Sequence, residues 1–233
     1  MLDINRHKFF FFFVLKDIYS DTLLDTSLGF KGGTAQMLFY GLPRFSVDLD
    51  FNLLKQDKSN EVFTSIREIL LNYGKIRDEA EKHFGLILVL DYGENERNLK
   101  VEISNRLYPD SYELKNYLGI PVNIMLKTDM FTHKLCALID RKIQTNRDIF
   151  DIYFYMKEKT AINASIIDIR MKMNVDQYLD SCISKIEKIR SESLLNGLGE
   201  LLDNDLKNFV RKKLKTETIQ LLQMYRSFPI LSK

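Results

Sequence analysis

Within the segment from Phe30 to Phe51, two glycines interrupt a strand pattern and a second strand carries two aspartates one residue apart. Ser27 to Lys31 reads as a short strand, Gly32-Gly33 breaks it, and Thr34-Ala-Gln-Met-Leu-Phe-Tyr opens a helix that Gly41-Leu-Pro closes. Arg44 to Leu54 then alternates. Phe45, Val47, Leu49 and Phe51 fall on one face, and Ser46, Asp48, Asp50 and Asn52 on the other. A helix that starts immediately after a glycine turn presents unpaired backbone N–H groups, which favour phosphate. Asp48 and Asp50 project from the same strand face, about 6–7 Å apart along it. That spacing suits carboxylates holding two divalent cations about 4 Å apart for in-line displacement at phosphorus. Magnesium takes carboxylate, phosphate and water oxygens, so the pattern needs no histidine or cysteine ligand.

A third carboxylate is expected, and Glu102 is placed to supply it. On the strand Leu99–Ser104, Val101 and Ile103 face a core, leaving Glu102 on the polar face with Lys100 and Ser104. Glu102 would be either a metal ligand close to the attacking hydroxyl or its base.

The remaining chain sorts into two regions. Helices are expected over 5–20 and 61–73, and strands over 85–91, 99–104, 112–117 and 120–126, with a polar turn over 92–98. From Asp129 the pattern becomes helical. A pair over 130–141 and 147–157 flanks a polar linker over 142–146, and longer helices follow over about 164–190 and 204–227, with a shorter one near 193–202. The expected class is α+β: a mixed sheet flanked by helices, with a C-terminal helical domain. The expected division is a catalytic module over 1–127 and a helical domain over 128–233.

Charge and cysteine usage narrow the function classes. Residues 1–120 carry a net −3 and residues 121–233 a net +5, a distribution that suits cations in one half and a polyanion on the other. Cys136 and Cys182 are the two cysteines, too few for a disulfide framework, so a reducing cytoplasm is the expected compartment. The apolar run Phe9–Leu15 follows Arg6 and Lys8 but stops at Lys16 and Asp17 without a small-residue cleavage site, so it reads as a buried helix and not as a signal or membrane span. A partner surface is the second reading of its aromatics. His7, His83 and His133 lack ligand spacing, and Cys136 falls on an apolar helix side. Arg211-Lys-Lys-Leu-Lys215 could track an RNA backbone or be a solvated helix face.

The stretches Lys31-Gly-Gly-Thr-Ala35 and Arg44-Phe-Ser-Val-Asp-Leu-Asp-Phe51, with His133-Lys-Leu-Cys-Ala-Leu-Ile-Asp-Arg141 and Arg147-Asp-Ile-Phe-Asp-Ile-Tyr153 further on, resemble the AbiEii/AbiGii-type nucleotidyltransferase toxins. That family lies within the DNA-polymerase-β-like superfamily, and the resemblance implies its nucleotidyltransferase fold for the α+β part. The resemblance spans about residues 25–155; Val47 stands where the family usually carries a polar or charged residue. It implies transfer of a nucleotide from NTP with magnesium as cofactor, an RNA acceptor such as the 3′ end of tRNA, and a cognate antitoxin as partner, with no membrane involved. It implies that Lys31, Gly32, Gly33 and Thr34 cradle phosphate beside the metal ligands Asp48, Asp50 and Glu102. It also implies that Lys134 contacts the triphosphate and that Asp148 or Asp151 supports the site. Lys134 and Arg141 share a helix face, and Asp148 and Asp151 open the next helix. The alternative for these acids is scaffold, with ion pairs Arg147–Asp148 and Arg141–Asp151. Alternative functions are nucleotidyl transfer to a protein hydroxyl or a small molecule, and NTP binding without turnover.

Overall fold

A computed structural model describes residues 4–93, 97–143 and 145–232. The chain forms two compact units: Met1–Gly41 with Phe45–Leu107 and Tyr112–Met125, and Leu42–Arg44 with Tyr108–Ser111 and Leu126–Lys233. The expected turn over 92–98 and linker over 142–146 fall in part on residues 94–96 and 144, which lie outside the described residues.

The first unit is built on a mixed seven-stranded sheet, in keeping with the expected α+β class. Its strands are β1 (Leu28–Lys31), β2 (Asp48–Leu53), β3 (Lys75–Lys82), β4 (Gly85–Asp91), β5 (Leu99–Ser104), β6 (Tyr112–Tyr117) and β7 (Ile120–Met125), in the order β3-β4-β5-β2-β1-β7-β6. β2 and β5 run parallel, as do β1 and β7; the other neighbours are antiparallel. The helices of this unit are α1 (Ile4–Ser20), α2 (Thr22–Ser27), α3 (Gly32–Tyr40) and α4 (Ser59–Leu71).

α1 buries Phe11, Val14, Leu15 and Ile18, the i, i+3, i+4, i+7 stripe of a helix lying on a core. Each such side chain contributes roughly 1.5–3 kcal/mol of apolar transfer. Phe9, on the opposite side of the helix from this stripe, is 54% exposed. α1 also holds the approach to β2. His7 is fully buried, its Nε2 2.9 Å from the Val47 carbonyl and its Nδ1 paired with the Tyr92 hydroxyl. The carbonyl can only accept, so Nε2 carries the proton and Nδ1 accepts from Tyr92.

Two elements escape the periodicity argument. β3 reads Lys-Ile-Arg-Asp-Glu-Ala-Glu-Lys, with no buried residue along it. It is an edge strand, whose charges discourage further pairing and whose order comes from its antiparallel ladder with β4. β2 begins at Asp48 and not at Arg44, because Arg44 belongs to the second unit and is committed there to an ion pair.

The second unit comprises α5 (Lys127–Asp140), α6 (Asn146–Lys157), α7 (Ala164–Met171), α8 (Val175–Glu187), α9 (Asn204–Phe209) and α10 (Lys215–Ser227). The expected helix over 164–190 divides because Lys172 adopts a left-handed conformation and Asn174 then caps α8 by accepting from the Gln177 N–H. The shorter helix near 193–202 is replaced by two three-residue 3₁₀ turns, Ser191–Ser193 and Gly199–Leu201. α9 continues into α10 through a π turn, Val210–Leu214. Phe131, Phe150, Tyr155, Tyr178 and Tyr225 fill this core. Two of the buried tyrosine hydroxyls are satisfied by backbone: Tyr178 donates to the Leu135 carbonyl at 2.7 Å and Tyr225 to that of Thr160 at 2.9 Å.

Candidate active site

At the end of β1 the backbone of Gly32 takes φ +80°, and α3 starts there. A Cβ on residue 32 would overlap the Asp50 carboxylate. Glycine is therefore required twice, by its left-handed backbone and by the acid that packs against it. Thr34 is fully buried and donates its hydroxyl to the Asp48 carbonyl. What Thr34 retains for an anion is its backbone N–H at the start of α3. The hydroxyl instead ties the glycine turn to β2.

The sheet register sets the acids side by side. Asp48 pairs with Lys100 and Asp50 with Glu102 across the parallel β2–β5 ladder, while Lys31 pairs with Asp50 across β1–β2. Leu49, Phe51, Val101 and Ile103 point to the buried side, so Asp48, Asp50 and Glu102 share the opposite face. Neighbouring strands lie about 4.8 Å apart, which crowds like charges. Burial, then Asp48, then Glu102 push the Asp50 carboxyl above the usual carboxylate range. Burial alone would lift Glu102 too, but the Lys100 ammonium 2.9 Å away holds it below that range. Lys100 is also 3.9 Å from Asp48 Oδ2, and these acids keep its own pKa raised against the effect of burial.

This donor set suits a hard divalent cation in kind, with three carboxylates on one sheet face. Among the described residues, no three acidic, histidine or cysteine side chains are already gathered into a cage that could hold an ion. Lys100 stands among the acids instead. Sequence reasoning placed Lys100 on this face but gave it no role; its signal was its position two residues before Glu102.

Lys134, Asp148 and Asp151 form a second cluster, in the helical unit. Lys134 Nζ on α5 lies 3.0 Å from Asp148 Oδ1 and 2.9 Å from Asp151 Oδ2 on α6. Arg44 grips Asp151 with two prongs, at 2.6 and 2.7 Å, and Arg141 reaches Asp148 at 3.1 Å. Thr145 also donates to Asp148. The two acids are essentially inaccessible, and burial would raise them, yet Lys134 and Arg141 hold Asp148, and Arg44 and Lys134 hold Asp151, below the usual range. The ion pairs differ from those expected: Arg141 takes Asp148, and Asp151 takes Arg44. Fully buried Asp151 meets the equally buried guanidinium of Arg44, whereas half-exposed Arg141 reaches Asp148. Arg44, prominent in its motif, went without an assigned role.

His133 is no metal ligand among the described residues. Its Nε2 lies 2.6 Å from Asp110 Oδ1, and Arg170 donates to its Nδ1 at 2.8 Å. Cys136 is buried in the core, its thiol pushed up to about 12 by burial.

Residues 14–223 match the family described as nucleotidyl transferase AbiEii toxin, type IV toxin–antitoxin system. This chain belongs to the AbiEii family. It is accordingly a nucleotidyltransferase of the toxin–antitoxin class, and both motif blocks lie within the matched region. Among solved structures, the AbiEii fold here is similar to JHP933 from Helicobacter pylori, with 22% identity, a TM-score of 0.64, and coverage of 97% of this chain and 94% of that one. A second H. pylori structure, described as that of a candidate nucleotidyltransferase, shares 23% identity at a TM-score of 0.64, covering 95% and 94%. At these identities the likeness establishes the fold. Among curated proteins none matches this AbiEii chain significantly. No helix among the described residues is long and apolar enough to cross a membrane.

Proposed function

We propose that this AbiEii-family chain transfers a nucleotide from a magnesium–NTP complex to RNA in the cytoplasm, with the 3′ end of tRNA as the acceptor class, and that a cognate antitoxin opposes it. The observation that carries the reading is the register of Asp48, Asp50 and Glu102 on one sheet face, next to a glycine turn at the start of α3.

Asp48, Asp50 and Glu102 would hold the magnesium ions. Magnesium, when bound, supplies the positive charge that offsets charge developing on the transferred phosphoryl group and on the departing pyrophosphate. The N–H groups that open α3 bind triphosphate oxygens, and Gly32 lets them approach closely. Glu102, 42% exposed against 26% for Asp48, is the acid an acceptor hydroxyl reaches most easily, and it takes that proton directly or steadies the hydroxyl. The resemblance assigns Lys134 to the triphosphate; within the helical unit its ammonium is held by Asp148 and Asp151.

Two features of the helical unit favour a polyanionic acceptor. Arg211, Lys212 and Lys213 are exposed together on the π turn, and charge of this kind binds a phosphate backbone without sequence preference. A cavity of about 580 Å³ in the same unit is lined by Phe150, Tyr153, Phe154 and Phe209 beside the charged Lys157, Glu158 and Asp205, and aromatic walls accept stacked bases.

The test supplies purified protein with magnesium and each labelled NTP, offering total RNA, total protein and aminoglycosides side by side. Label in RNA alone is the expected result. Label in protein or in the aminoglycoside would replace the acceptor, and tight NTP binding without pyrophosphate release over hours would replace the enzymatic reading.

A further inference from the structure

The two lysine-bridged acid clusters are built differently, and the difference is informative. Lys134 sits against Asp148 and Asp151, both essentially inaccessible and each also held by an arginine. Lys100 sits against Glu102 and Asp48, which are 42% and 26% exposed, and is itself 35% exposed. The first arrangement is locked. In the second, solvent screens the pairs, so each holds the ammonium weakly.

β5 itself puts Lys100 there. It faces Asp48 in the parallel ladder and shares its side of the strand with Glu102, two residues on. Its ammonium reaches Glu102 Oε2 and Asp48 Oδ2, oxygens that a divalent ion bound by these acids would also need. Three carboxylates brought side by side on one sheet face by the β2–β5 register repel one another. A lysine is suited to relieve it temporarily, being a point charge on a flexible stem with no planar fork to lock it in place.

We propose that Lys100 is a resident counterion of the acidic face, offsetting part of its charge while no metal is bound and giving way when a divalent cation enters. The proposal rests on the reading of Asp48, Asp50 and Glu102 as metal ligands. Its consequence is that ion affinity is the difference between two occupants of the same oxygens. The folded protein is thereby protected from its own acid cluster, and free metal binds less tightly than three carboxylates would otherwise allow.

The experiment uses Mn²⁺ alone as the probe on the full chain, comparing wild type, Lys100→Met, Lys100→Arg and Asp48→Asn. Affinity is read by calorimetry, and melting temperature is read in chelator and in excess Mn²⁺. Lys100→Met should melt lower than wild type in chelator, bind Mn²⁺ about tenfold tighter once the competing charge is gone, and recover most of its lost stability when Mn²⁺ is added. Lys100→Arg should bind no tighter than wild type. A lysine that merely braced β5 would give an equal drop in melting temperature with and without Mn²⁺ and an unchanged affinity. That result overturns the proposal, while Mn²⁺ binding by wild type and its loss in Asp48→Asn would leave the metal-ligand reading standing. No Mn²⁺ binding by either wild type or Lys100→Met overturns both.

Discussion

The Asp50 carboxylate fills the space into which any side chain on residue 32 would project. The glycine turn and the acid are thus one structural unit, and the N-terminal end of α3 cannot be altered without disturbing a candidate metal ligand. Gly32→Ala should destabilise the fold by about 1–3 kcal/mol, combining left-handed backbone strain with the displaced carboxylate. It should also weaken Mn²⁺ and NTP binding together. Urea unfolding and calorimetry measure both; a variant with wild-type stability and binding would show that the turn has slack.

Arg44 and Asp151 meet as a buried two-pronged pair. Arg44→Met should cost about 3 kcal/mol, the lower end for breaking a buried pair, because Lys134 still faces Asp151. Arg44→Lys should fall between wild type and Arg44→Met, keeping the charge and losing the fork. Equal stability of all three would mean that Lys134 alone satisfies Asp151.

Asp148 and Asp151 have depressed folded-state pKa values, Asp148 through Lys134 and Arg141 and Asp151 through Arg44 and Lys134. A depressed acid stabilises the fold above its unfolded pKa, about 3.9 for aspartate, and that contribution disappears as pH falls through the lower folded value. Unfolding free energy should therefore drop as pH is lowered below about 4. The drop should be shallower in Asp148→Asn, which starts from a lower stability at neutral pH. Urea titrations from pH 7 to pH 3 give the slopes, and identical slopes would contradict the assignment.

How much of this could be read along the chain depends on how far apart the partners lie. The strand face carrying Asp48 and Asp50 follows from the alternation with Leu49 and Phe51, and Glu102 follows in the same way between Val101 and Ile103. These are local patterns. That β2 and β5 are adjacent and parallel, so that Asp50 lies beside Glu102, is a pairing choice that no single-strand pattern contains. β3 escapes the pattern because an edge strand need not bury a face. The partner of Arg44 escapes it because 107 residues separate Arg44 from Asp151, and the nearer Arg141 is the more obvious candidate.

Arg211, Lys212 and Lys213 are exposed, so neutralising them to glutamine should leave stability nearly unchanged. RNA binding should weaken, and the salt dependence of log affinity should flatten by about 0.7 for each phosphate no longer neutralised. Fluorescence anisotropy with a single-stranded RNA at several salt concentrations tests this; unchanged affinity and slope would assign the run to a solvated surface.

The most direct test of the account is nucleotide transfer with the metal-ligand candidates removed. With magnesium, labelled NTPs and RNA, the wild-type protein should release pyrophosphate and label the acceptor. Asp48→Asn and Asp50→Asn should each remain folded and lose about 10³-fold or more of that rate, the scale seen when a catalytic electrostatic stabiliser is deleted. Folded variants that transfer label as fast as wild type would contradict the central claim.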